Sequence, residues 1–108
     1  DSVAQRISTD RPDVAVCYDD KIALALMDAL RVVGLDVPLD MGVVGFDDIP
    51  FARIANPRLT TVAQPAEELG RISAEMLLEA LDIGILPPSR VLPVSLVIRE
   101  STPGPRHS

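Results

Sequence analysis

Two pairs of adjacent aspartates each follow a short apolar run. Val14-Ala15-Val16-Cys17-Tyr18 leads into Asp19-Asp20, and Met41-Gly42-Val43-Val44-Gly45-Phe46 leads into Asp47-Asp48. An ionised carboxylate only accepts hydrogen bonds, and its two oxygens can take two vicinal hydroxyls or an amine at once. A sugar, a polyol or a nucleoside suits such acceptors. Asp47 and Asp19 are the leading ligand-binding candidates, with Asp20 beside them. Each has a structural rival. Asp20 stands where a helix N-cap belongs, Asp48 can cap the turn over 49–54, Asp47 can close an Asx-turn, and Asp19 can simply be solvated.

The same carboxylates raise two alternatives, a phosphoacceptor signalling domain and a glycoside hydrolase. A phosphoacceptor site holding Mg²⁺ between acids also wants a lysine at a later strand end, and the one lysine, Lys21, adjoins the first acid pair instead. Glycoside hydrolysis needs one protonated acid in an apolar pocket, whereas all four acids occupy loop or cap positions. No nucleophile arrangement, metal cluster or phosphate-cradling glycine loop accompanies them. The sequence therefore points away from an enzyme, with no catalytic residue, cofactor or metal expected. His107 lies in a polar tail and receives no catalytic role. Cys17, the single cysteine, reads as a small buried hydrophobe.

Positioning the acids requires two parallel strands. The two apolar runs lack polar alternation, as expected of strands buried on both faces. Between them, residues 21–33 are rich in Ala, Leu and Met and end at Gly34, the signature of a helix with a left-handed cap. Strand, helix and strand form a right-handed βαβ unit, and ligands of open parallel sheets bind beyond the strands' carboxyl ends. Upstream, residues 1–9 look like the last turns of a helix. Downstream, Leu59 to Val62 is a third strand, Pro65 opens a helix to about Leu81, and Val91 to Glu100 is a last strand before a tail. In that second helix Leu69, Ile72, Met76, Leu77 and Ala80 share one stripe. The fold class is α/β, with a mainly parallel sheet and flanking helices.

On the 21–33 helix, at 100° per residue, Ile22, Ala25, Leu26, Ala29, Leu30 and Val33 make the sheet-facing side. Leu24 and Met27 then fall outward. This apolar pair invites a partner, and a two-fold interface with the 49–55 segment of a second copy is the expectation, against ordinary exposed apolar surface.

Composition bounds the remaining possibilities. The 108 residues are 47% hydrophobic, enough for one modest core, and the formal net charge of −6 opposes direct contact with nucleic-acid phosphates. No stretch is long and apolar enough to span a bilayer, and the start shows no signal-peptide pattern, so a cytoplasmic location is expected.

Five blocks in order carry a family likeness: Asp19-Asp20-Lys21-Ile22-Ala23-Leu24; Gly34-Leu35-Asp36-Val37-Pro38; Val43-Val44-Gly45-Phe46-Asp47-Asp48-Ile49-Pro50; Pro57-Arg58-Leu59-Thr60-Thr61-Val62 with Gln64-Pro65; and Leu92 to Thr102. Together they resemble the C-terminal part of the effector-binding core of LacI/GalR-type (lactose-repressor-like) bacterial transcription regulators. The resemblance implies a fragment of a two-lobed, periplasmic-binding-protein-like fold: residues 1–62 in the C-terminal lobe, 63–88 a helix of the N-terminal lobe, 89–102 a returning strand, and 103–108 a disordered tail. It implies effector contacts at Asp47 and at Asp19, the latter standing where the family usually has Asn. It also implies a homodimer interface at Leu24, Met27, Ile54 and Ala55, and operator binding through an N-terminal domain outside this chain. The family mechanism is allosteric: a small polar effector closes the lobes and alters the placement of the DNA heads. An exported sugar-binding transport protein of the same architecture is the alternative.

Overall fold

The computed structural model describes residues 2–104; His107 and the rest of 105–108 lie outside the described residues. The elements, in order, are α1 (Ser2–Asp10), β1 (Val14–Val16), α2 (Asp20–Val32), β2 (Gly42–Phe46), a 3₁₀ turn η1 (Pro50–Arg53), β3 (Thr60–Ala63), α3 (Ala66–Ile83) and β4 (Ser95–Val97). The four strands form one sheet in the order β1-β2-β3-β4, and both β1 with β2 and β2 with β3 pair in parallel. The βαβ expectation thus holds, as does the α/β class.

The described residues divide into two compact units, 2–63 with 96–104, and 64–95. In the first, the core gathers Ala23, Met27 and Leu30 of α2 with Leu35, Met41, Val43, Ala52 and Leu59. The second unit carries α3, which ends at Gly84 in the left-handed conformation, φ 77°. Of its expected apolar stripe only Ile72 is buried, while Leu69 and Leu77 are exposed.

Three expectations need correction. β1 is not covered on both faces: Ala15 and Cys17 pack towards the core, but Val14, Val16 and Tyr18 are exposed. Alternation along a strand sends neighbours to opposite faces, and among the described residues the face of Val14 and Val16 is left open.

The second correction concerns α2. Its buried residues are Asp20, Ala23, Met27 and Leu30, whereas Ile22 is half exposed. Met27, expected outward, is 8% exposed and belongs to the core; Leu24 is half-buried against it. The helix is rotated because a polar residue, Asp20, heads its buried face. An apolar periodicity cannot register that.

Third, the last strand is confined to Ser95–Val97, and Ser101 is not tail but interior. Its hydroxyl donates to the Val43 carbonyl at 2.6 Å and accepts the Thr60 N–H at 2.8 Å. Its backbone accepts from Val43 N–H and donates to Arg58 O, both at 2.9 Å. Ser101 thereby stitches the amino ends of β2 and β3, satisfying groups that burial would otherwise leave without partners.

Candidate functional site

The register decides where the acids go. Val14, Ala15 and Val16 pair with Gly42, Val43 and Val44, an offset of 28 residues, and the Cys17 N–H continues the ladder to Val44 O at 2.8 Å. Asp19 and Asp47 are separated by the same 28 residues. They therefore leave neighbouring parallel strands at one level, on the carboxyl edge of the sheet, where α/β folds place ligands. β3 reaches this edge too, since the Asp47 N–H donates to Val62 O at 2.8 Å.

The four acids differ sharply in environment. Asp19, not Asp20, is the N-cap of α2: it is extended, φ −153°, and its Oδ1 accepts the Ile22 N–H at 2.9 Å. That satisfies one of the helix's orphan donors. It leaves Asp19 half-buried at the rim. Asp20, expected as a cap or a ligand contact, is fully buried. Its Oδ1 accepts the Thr61 hydroxyl at 2.5 Å and its Oδ2 accepts the Ile49 N–H at 2.8 Å. Both oxygens are committed, so Asp20 ties α2, β3 and the β2–η1 turn together and offers no surface to a ligand.

Asp47 is exposed, at φ 116°. Asp48 follows at φ 57°. Two consecutive non-glycine residues at positive φ make a turn that is costly for side-chain-bearing residues, a feature that collects at functional sites. Asp48, expected to cap η1, does not: Ile49 is the cap residue and makes no side-chain bond. Instead the Asp48 carboxylate, 11% exposed, lies between two arginines. Arg99 Nη1 is 2.8 Å from Oδ1 and Arg53 Nη2 is 3.3 Å from Oδ2. Oδ1 is buried against the Arg99 guanidinium, whose charge it faces directly. The Arg99 guanidinium lowers the Asp48 carboxyl below its ordinary range; burial opposes this and Arg53 adds to it.

Among the described residues, no group of three or more His, Cys, Asp and Glu is placed to hold a metal ion. No described helix is long and apolar enough to cross a membrane. Burial raises the Cys17 thiol, and nearby Asp19 adds to the effect, so the thiolate is disfavoured.

The expected interface residues behave unequally. Leu24, Met27 and Ala55 line one groove of about 450 Å³ with Asp28, Arg31 and Pro57, whereas Ile54 is 73% exposed. Sequence reasoning missed Thr61, Arg99 and Ser101. Polar residues inside otherwise apolar strands, Thr60-Thr61 above all, were the available signal.

A domain family described as a periplasmic binding protein-like domain matches residues 1–102. This chain belongs to that family, as LacI-type transcriptional regulators carry it. The arabinose metabolism transcriptional repressor of Geobacillus stearothermophilus is 42% identical over 78 residues, covering 72% of this chain and 21% of the repressor. Among solved structures, a LacI family regulator from Arthrobacter sp. FB24 in complex with lactose matches with a TM-score of 0.81 and 32% identity, covering 93% of this chain and 39% of that one. The lac repressor dimer bound to operator and the anti-inducer ONPF matches with a TM-score of 0.84 and 32% identity, covering 94% of this chain and 36% of that one. The LacI-type domain here thus spans between about a fifth and two fifths of these relatives. They are regulators, not enzymes.

Proposed function

We propose that this chain is the C-terminal part of the effector-sensing core of a bacterial transcription regulator. In this reading it binds a sugar, polyol or nucleoside-like molecule at the carboxyl edge of the sheet. Asp47 and Asp19 supply hydrogen-bond acceptors to the ligand's hydroxyl or amino groups. Residues 1–62 serve the C-terminal lobe, 63–88 form a helix of the N-terminal lobe, and 89–102 are the returning strand. Binding shifts the population of lobe arrangements, and DNA contact is made by a separate domain, in the cytoplasm and as a homodimer. The observation that carries the reading is the shared level of Asp19 and Asp47 on adjacent parallel strands. The net charge of −6 supports leaving DNA to another part of the protein.

Calorimetry on the full-length protein with sugars, polyols and nucleosides tests it. A ligand is expected, and Asp47→Ala is expected to weaken it by about tenfold or more, the equivalent of one charged hydrogen bond. Unchanged affinity would remove Asp47 from the site.

A further inference from the structure

We propose that the Asp48–Arg99 ion pair is the positioning device of the ligand rim, holding the turn after β2 in the conformation from which Asp47 presents its carboxylate. The inference rests on the reading that Asp47 meets the ligand. Its premise is the backbone: Asp47 and Asp48 stand at φ 116° and 57°, a pair of conformations that persists only where surrounding contacts over-determine it.

Backbone and side-chain contacts surround the turn. The Asp47 N–H is fixed to Val62 O, and the Ile49 N–H to Asp20 Oδ2, each at 2.8 Å. Between these flanks, the Asp48 side chain restrains the turn through its ion pairs. Its two arginines are not equivalent. Arg53 comes from η1, within the same loop, is 64% exposed and lies at 3.3 Å, where solvent screens it. Arg99 is 14% exposed and is itself anchored twice where the chain enters β3. Its Nη1 donates to Leu59 O at 3.0 Å and its backbone N–H to Thr60 Oγ1 at 2.8 Å. Arg99 is thus a fixed post, and Asp48 is the side chain through which the rim is tied to it. A well-screened surface pair could not hold a strained turn; a largely buried one can.

Hydrogen exchange on the full-length protein reads the rim without any ligand. In Asp48→Asn and Arg99→Met, the amides of Asp47 to Ile49 are expected to exchange about tenfold faster, with the β2 and β3 amides little changed. Arg99→Lys, which keeps the charge, is expected to restore part of the protection and serves as the milder variant if Arg99→Met folds poorly. Arg53→Gln is expected to stay near wild type. Titration with lactose, D-ribose and L-arabinose then reads the coupling: the tightest binder is expected to weaken in the same order of variants. Unchanged exchange at Asp47 to Ile49, or a rise spread evenly over the sheet, overturns the proposal. Faster exchange with unaltered sugar affinity overturns the coupling to Asp47. Failure of wild type to bind any of the sugars counts against the proposed function, and the exchange pattern still decides the role of the ion pair.

Discussion

Thr61 donates its hydroxyl to the buried carboxylate of Asp20, and this contact, with the Ile49 amide on the other oxygen, sets which side of α2 meets the sheet. The helix approaches β2 very closely at that point. A Cβ on Gly45 would stand 2.2 Å from Asp20 Oδ1, 3.0 Å from Leu59 Cδ2 and 3.1 Å from the Asp20 Cα. The Asp20 backbone is one of those neighbours, so a rotamer change cannot relieve the clash. Gly45→Ala is expected to destabilise by about 3 kcal/mol, through overpacking and the loss of a buried carboxylate's partners. Urea unfolding of the full-length protein measures it, and a loss under about 1 kcal/mol would mean that α2 can retreat without penalty.

Asp47 offers a separation of strain from chemistry. Asp47→Ala and Asp47→Gly both delete the carboxylate, but glycine alone adopts φ 116° without steric cost. The glycine variant is expected to be more stable than the alanine variant by about 1 kcal/mol, while the two are equally weak in ligand binding. Thermal unfolding and calorimetry compare them directly. Equal stability would show that the turn relaxes on substitution.

Asp48 predicts a pH dependence with a definite sign. Its carboxyl is lowered from an ordinary value of 3.8, chiefly by Arg99, so the folded state binds its proton less readily than the unfolded chain. The pair's contribution is therefore complete above about pH 4 to 5 and is lost as pH falls through the depressed value. The stability gap between wild type and Asp48→Asn is expected to be constant near neutrality and to narrow below about pH 4. Urea midpoints taken across that range check it; a gap that widens on acidification contradicts the ion pair.

Met27 and Ile54, once grouped together, are expected to part company. Met27 is a core side chain, and Met27→Ala should lose about 2 to 3 kcal/mol of stability. Ile54, 73% exposed, can accept a charge without disturbing the fold. If the 49–55 segment meets a second copy, Ile54→Arg should lower the sedimenting mass while leaving the unfolding midpoint within about 0.5 kcal/mol. An unaltered mass would exclude this residue from the interface.

Much was legible without coordinates. The two apolar runs, the intervening Ala/Leu-rich segment and the terminating Gly34 specify a parallel βαβ unit, because strand and helix periods and cap residues are local properties of the chain. Once the strands are parallel neighbours, the acids that close them must share an edge; the positions of Asp19 and Asp47 follow from chain order. What each acid does there does not follow. Asp19 took the cap, and Asp20 went into the interior. Asp48 found Arg99, a residue 51 positions away in the sequence. Ser101, which follows the last strand expected from sequence, became the bond between two strands. Hydrogen bonding and charge pairing across the fold depend on angles and separations of a few tenths of an ångström, which local pattern does not encode. Sequence by itself determined the scaffold and the edge; tertiary structure alone decided which carboxylates hold the protein together and which remain at the rim.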